Sequence, residues 1–299
     1  MSSISIQTRG FADLTEITSA QDSAMLIIRD DNGVKKVSAK NLKADIKALI
    51  DTAQIQNTLN QITFPGAGTH NGIFRGKNLG SSVTSAQWAE IKAGTFNDLY
   101  IGDYWTIGGI DWVIAAFDYY LGTGDTECTA HHVVIVPRGV LYNAQMNSTS
   151  TTNGAYFGSA MYKTGLNSAK ETINNAFGSA HILKHRNQLQ NDVSNDGYPS
   201  GGAWYDSTVE LMTEENVYGC KIFGAMANGS TIPKNYEVDK SQFPLFQLRP
   251  GMQSVRDWYW LRDVVSSVSF AYVSGFGYCN YGIANNSAGV RPAFCIYQS

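Results

Sequence analysis

His181 and His185 stand four residues apart in "HILKH", a spacing that puts two imidazoles on one face of a helix, as zinc sites sometimes do. The glutamate that a zinc protease uses as its base is missing between them, so a helix face of ordinary polar residues is expected. The four cysteines, Cys128, Cys220, Cys279 and Cys295, lie far apart with no Cys-x-x-Cys pair. That argues against a zinc ribbon and a thioredoxin-type site; free buried thiols are expected, with one disulfide as the alternative. Glu210, Glu214 and Glu215 fall in one charge cluster, the pattern of a solvated face. "GTGDTE" (Gly122–Glu127) fits a tight turn as well as an ion-binding loop, in which Asp125 or Glu127 would be the ligand. No Gly-x-Ser-x-Gly elbow, phosphate loop or Cys-His pair announces catalysis, and a glycosidase's carboxylate separation cannot be read from linear spacing. The expectation is no enzyme, no metal and no cofactor.

The chemistry on offer is that of contact. "WYWLRDVVSSVSFAYVSGFGYCNYGIANNSAGVRPAFCI" (Trp258–Ile296) gathers aromatics, glycines, serines and asparagines. From Phe270 the even positions carry Phe270, Tyr272, Ser274, Phe276, Tyr278 and Asn280, and the odd ones small residues. Strand side chains alternate faces, so one face is large and polar-aromatic and the other small. Small residues suit a packed scaffold; Tyr, Ser and Asn are the composition of a paratope. The candidate ligand-binding residues are therefore Tyr259, Tyr272, Ser274, Phe276, Tyr278, Asn280, Tyr281, Asn285 and Asn286. The opposite assignment buries the aromatics as core. Trp258 and Trp260 share a face expected in the core, leaving Tyr259 exposed; Phe294 is also expected in the core. Arg262 and Arg291 are expected as buried, hydrogen-bonded structural arginines.

Composition frames the elements that must position these residues. The chain has 299 residues, 43% hydrophobic and 16% charged, with a net charge of -3, so nothing electrostatic favours nucleic acid or anionic membranes. Apolar runs are far too short to span a bilayer, and no basic start precedes an apolar stretch as in a secretory signal. Many glycines and aromatics beside seven prolines suggest short strands and loops. At the N-terminal end, Ala24–Arg29 and Val34–Val37 read as a hairpin turning at Asn32-Gly33. Ser38 then caps a helix whose stripe Leu42, Ile46, Leu49 and Ala53 continues, with a phase shift, through Ile55, Leu59 and Ile62. A hairpin and one helix cannot make their own core, so these residues are expected to assemble a homo-oligomer, a trimer above all.

"FPGAGTHNG" reads as a glycine-rich linker, dividing the chain into residues 1–63, 64–72 and 73–299. Beyond it, Thr84 caps a helix from Ser85 that stops at Gly94, and a hairpin turns at Gly108-Gly109. "HHVVIVP" is a buried strand, and Lys163–Phe177 and Ser179–Leu189 read as two helices broken at Gly178. After Asn191 the chain reads as turn-rich, with one further element in "VELMTEENVYG". The fold class is α+β, with a mixed or antiparallel sheet and long loops.

Three pieces, "WYWLRD" (Trp258–Asp263), the glycine-rich variable stretch and "GVRPAF" (Gly289–Phe294), resemble a family of C-type-lectin-like domains related to the formylglycine-generating enzyme fold. Such domains are common in bacteriophage and gut-bacterial genomes, and relatives are the variable proteins of diversity-generating retroelements. The likeness runs from about Gly72 to the end. It implies a C-type-lectin-like fold for residues 73–299. Separately, Ala24–Asp51 looks like the virion-attachment end of phage fibre and baseplate proteins. Together they imply a virion structural protein of tail fibre, baseplate or head fibre that adheres to a host surface protein or glycan. Its N-terminal segment would contact other virion proteins, and no nucleic acid or membrane insertion is involved. The alternatives are a capsid decoration protein that binds environmental glycans and a surface-polysaccharide hydrolase. The enzymes' cysteine pair is absent, and so are the Glu-Pro-Asn and Trp-Asn-Asp triplets of calcium lectins. Neither copper-dependent oxidation nor calcium-bridged sugar binding carries over.

Overall fold

A computed structural model describes residues 25–30, 33–38, 40–41, 66–224 and 241–299. The chain divides into two compact units, Met1–Thr63 and Phe64–Ser299. In the first, β1 (Met25–Asp30) pairs antiparallel with β2 (Gly33–Ser38), and Asp30 faces Gly33, so two residues connect the strands. This is the expected hairpin, with the first strand shifted by one residue and the second extended by one residue at each end. Asn41 N–H donates to Ser38 Oγ at 3.1 Å, the bond an N-cap serine makes to the third helical residue. The stripe of Leu42, Ile46, Leu49, Ala53, Ile55, Leu59 and Ile62 lies outside the described residues.

The second unit is α+β. The helices α1 (Ala67–His70) and α2 (Ser85–Ala93) precede β3 (Tyr104–Ile107), β4 (Ile110–Phe117), β5 (Val133–Pro137) and β6 (Tyr142–Gln145). Two further helices, α3 (Ala155–Gly158) and α4 (Asn167–Phe177), lead to β7 (His185–Val193), β8 (Pro199–Ser207) and β9 (Val209–Leu211). The short α5 (Glu214–Tyr218) and α6 (Pro244–Leu248) come before β10 (Tyr259–Ser266), β11 (Ser269–Val273), β12 (Cys279–Ile283), β13 (Ser287–Val290) and β14 (Pro292–Ile296).

One sheet has the order β3-β4-β5-β14-β9 and is antiparallel throughout; the other, β12-β11-β10-β13-β6, is antiparallel except where β10 lies beside β13. The β3–β4 hairpin turns on Gly108 and Gly109 at φ 62° and 78°, the double left-handed conformation that glycine adopts without steric cost. Thr84 and Gln87 form the reciprocal cap of α2, and Gly94 ends it at φ 68°, as expected. A single residue, Arg291, carries the chain from β13 in one sheet to β14 in the other.

The second sheet is buried on both sides at its central strands β10 and β11. Tyr259, Leu261, Ala271 and Val273 join the core of the first sheet, where Trp112, Phe177 and Phe294 meet ring to ring at 5.4–5.7 Å. Trp260, Phe270, Tyr272 and Val290 pack on the other side with Tyr156, Met161, Leu166 and Ala169.

Several expectations are corrected. Ser179–Leu189 is not a helix: one 3-10 turn, Ser179–His181, leads into strand β7, whose polar residues carry no apolar alternation. His181 and His185 therefore share no helix face; His181 stacks on Trp88 at 4.2 Å, and His185 lies tilted against Tyr120 at 4.1 Å. Lys163–Phe177 divides into a π-turn, Met161–Gly165, and α4. The region after Asn191 holds β8, paired with β7. The linker expected over 64–72 is packed structure where described: buried His70 contacts Leu99 O through Nδ1 at 2.6 Å, and the Asn71 amide pairs with the Phe117 backbone at 2.8 and 2.9 Å.

Candidate ligand-binding surface

The turn between β11 and β12 is pinned from inside and outside. Ser274 N–H donates to Tyr278 O at 2.9 Å, Gly277 N–H to Ser274 O at 2.9 Å, and Phe276 N–H to Ser274 Oγ at 3.3 Å. From outside, Ser254 Oγ donates to Gly275 O at 2.8 Å and the Tyr218 hydroxyl to Gly277 O at 3.0 Å. Burial pushes the Tyr218 hydroxyl far above its ordinary pKa, so it stays a donor. Gly277 has φ 90°, and a Cβ there would lie 3.2 Å from Ser254, so no other residue fits without strain. On this fixed backbone Phe276 is 84% exposed and Tyr278 55%, their rings nearly parallel at 6.3 Å.

Beyond the turn, β12 is an edge strand whose Tyr281 and Ile283 are exposed. Phe223 meets Tyr281 edge-on at 5.2 Å. The buried carboxylate of Glu214 holds that neighbour in place. It accepts N–H bonds from Ile222, Phe223 and Gly224 at 2.7–3.0 Å, and the Cys279 thiol lies 3.1 Å away. Burial first, then Glu214, keeps that thiol protonated. Asp263 takes the Glu214 N–H and Lys221 Nζ, both at 2.7 Å. Burial works against the Lys221 charge, but Asp263 and Glu215 outweigh it and raise its pKa.

The glutamate cluster is thus no solvated face. Glu214 is fully buried, Glu215 pairs with Lys221 at 3.5 Å, and Glu210 lies inside, taking the Tyr156 hydroxyl at 2.7 Å. Asp125 is committed to Arg186, whose Nε and Nη2 donate to its two oxygens at 2.7 and 3.0 Å. Among the described residues no group of three or more His, Cys, Asp or Glu side chains could hold a metal ion. The four cysteines form no disulfide with one another; three are buried and Cys220 is exposed.

Of the nine candidate contact residues, the structure brings Phe276 and Tyr278 together on the turn, with Tyr281 on the next strand. Asn280 is half-buried, and its Oδ1 accepts the Tyr281 N–H at 2.8 Å. Asn285 and Asn286 are exposed, beyond the opposite end of β12. Three assignments are wrong. Tyr259 is fully buried, while Trp258, expected in the core, is 51% exposed. Tyr272 and Ser274 are buried, as is Phe270. Alternation predicts one solvated face; β11, covered on both sides, has none until its chain leaves at the turn. Tyr272 instead stacks under Trp258, ring centres 5.0 Å apart and nearly parallel. The residues the sequence reading missed are Trp258, Ile222, Phe223 and Ile283. The alternation of β12 could have placed Ile283 beside Tyr281; no local pattern marks the other three. Arg262 and Arg291 are buried as expected, and Trp260 and Phe294 lie in the core. Comparison with protein-family models, with curated proteins and with solved structures gives no match.

Proposed function

We propose that the chain is a bacteriophage virion structural protein of tail fibre, baseplate or head fibre type. Its larger unit acts as a C-type-lectin-like domain that adheres to the host cell surface by binding rather than by catalysis. The likeness of Trp258–Asp263 and Gly289–Phe294 to that family supports the reading. So does the position of Pro292–Ile296 as a strand inside an antiparallel sheet. One observation carries it: Phe276 and Tyr278 stand in solvent on a backbone anchored by Ser254 and Tyr218. Rigid aromatic side chains on a fixed turn bury large contact area while losing little conformational freedom. A protein that only filled its own core would not place there the most exposed aromatic among the described residues, Phe276.

The test is adsorption of the full-length protein to host cells, with Phe276→Ala and Tyr278→Ala variants. Each should lose at least tenfold in binding while its unfolding free energy changes by less than about 0.5 kcal/mol. Tyr272→Ala and Trp260→Ala are the buried controls, at about 3–5 kcal/mol. Unchanged adsorption of both Phe276→Ala and Tyr278→Ala would overturn the adhesive role of this surface.

A further inference from the structure

A cleft of about 660 Å³ opens beside the anchored turn, lined by Asp111, Arg138, Val140, Met252, Ser254 and Arg256 among others. Ser254 belongs to both features, because its hydroxyl also holds Gly275 O. The size is that of a small-ligand site. Asp111 is the one acidic residue in the lining, and it is already committed: Oδ1 takes the Thr106 hydroxyl at 2.8 Å and Oδ2 takes Arg138 Nε at 2.9 Å. Arg138 is further fixed by its guanidinium lying 4.6 Å from the Tyr104 ring centre. Its two terminal nitrogens have no partner among the described residues. Arg256 is exposed, makes no side-chain hydrogen bond or ion pair there, and sits at φ 61°, a left-handed conformation rare outside glycine. Strain of that kind at a cleft wall is kept where the surrounding structure enforces it, and it gathers at ligand sites.

Two arginines whose terminal N–H groups have no partner among the described residues therefore line one concavity whose carboxylate is neutralised internally. Planar forks match the oxygen pairs of carboxylate and phosphate. The remaining wall is apolar, from Val140, Met252 and their neighbours, and suits the C–H face of a sugar ring. We infer that this cleft binds the anionic group, carboxylate or phosphate, of an acidic glycan. The glycan half of this inference rests on the adhesion reading; the anion half rests on the cleft's own residues.

The experiment is calorimetric titration of the full-length protein with three probes: a galacturonic acid trisaccharide, its neutral methyl ester and a glycerol phosphate trimer. At least one acidic probe binds and the ester does not, and which acidic probe binds tells carboxylate from phosphate. Arg256→Gln weakens that binding at least tenfold with an unchanged melting temperature, because the side chain is exposed and unpartnered. Arg138→Gln weakens it as well, with a lower melting temperature because its pair with Asp111 is lost, and Phe276→Ala leaves the probe binding unchanged. Equal binding of ester and acid, absence of binding by both acids, or wild-type binding by Arg256→Gln overturns the inference. Cell adsorption of the same Arg256→Gln protein separates the two readings. Lost probe binding with intact adsorption leaves adhesion to the aromatic turn alone. Probe binding by a wild-type protein that does not adsorb to cells removes the adhesion reading and keeps the anion site.

Discussion

The Arg291 guanidinium donates to the Tyr259 hydroxyl at 3.1 Å, and its carbon lies 5.0 Å from the centre of the same ring. Both residues are fully buried. Arg291 also donates to Pro137 O at 3.0 Å and Met252 O at 3.1 Å, and the Tyr259 hydroxyl donates in turn to Gln253 O at 3.0 Å. This chain of donors ties the sheet crossover at Arg291 to β10, β5 and the wall of the arginine cleft. A buried cation needs such partners, since an unpaired one costs far more than the bonds return.

Tyr259→Phe keeps the ring and deletes that relay. It should cost about 1.5–3 kcal/mol, the range for hydrogen bonds to a charged group. Chemical denaturation reads this as a lower midpoint at unchanged slope. Tyr281→Phe, on an exposed edge, is the control and should change stability by less than about 0.5 kcal/mol. Equal effects of the two substitutions would remove the structural role assigned to Tyr259.

Glu214→Gln should be costlier than a surface change, at about 2–3 kcal/mol. The amide nitrogen would face an N–H donor and leave it unsatisfied inside the protein. Its local signature is faster hydrogen exchange at the Ile222, Phe223 and Gly224 amides, which the carboxylate now holds. Exchange rates unchanged at those three amides would show that something else fixes Phe223 against Tyr281.

The legible parts of this fold are those decided locally. Thr84, Gln87 and Gly94 delimit their helix by capping chemistry, and Gly108-Gly109 close their hairpin by the backbone conformation they permit. The short, β-branched run Val133–Val136 is the buried strand expected of it. What failed was decided at long range. Tyr272 is buried because Trp258, fourteen positions away, covers it, and because α3 and α4 roof that side of the sheet. Glu214 is buried because its acceptors meet three consecutive amides across a loop. The polar strand β7 pairs with β8 without an alternating apolar pattern to announce it. In the candidate surface, the aromatics on the turn were readable from composition, whereas Phe223, Trp258 and the two cleft arginines are each brought to their places only by the fold.

The N-terminal stripe makes its own prediction. Leu42, Ile46, Leu49, Ala53, Leu59 and Ile62 lie on a helical spacing in a segment too small for a core of its own. The full chain should be a homo-oligomer, a trimer by expectation, and a chain beginning at Gly66 should be monomeric. Light scattering at micromolar concentration decides it. A monomeric full chain would leave the stripe without its proposed partner copies.

Stability should also carry a pH signature from Glu210. Burial pushes its carboxyl above the ordinary 4.5, with Arg262 and the Ser207 and Tyr156 hydroxyls working against that rise. Above pH 4.5 the unfolded chain has released this proton while the folded chain still holds it. The folded state then binds more protons, so stability falls as pH rises; the Glu210 contribution is complete below 4.5 and is lost as pH climbs through the raised folded value. Buried His70 and His132, whose pKa values are lowered by desolvation, act in the opposite sense below 6.5. They are shared by wild type and variant and cancel in the difference. Glu210→Gln keeps an acceptor for Tyr156 and cannot titrate, so its stability relative to wild type should improve as pH rises above 4.5 and level off once the raised folded value is passed. Urea midpoints at a series of pH values measure this, and parallel profiles for the two proteins would show that Glu210 ionises in the fold as it does in water.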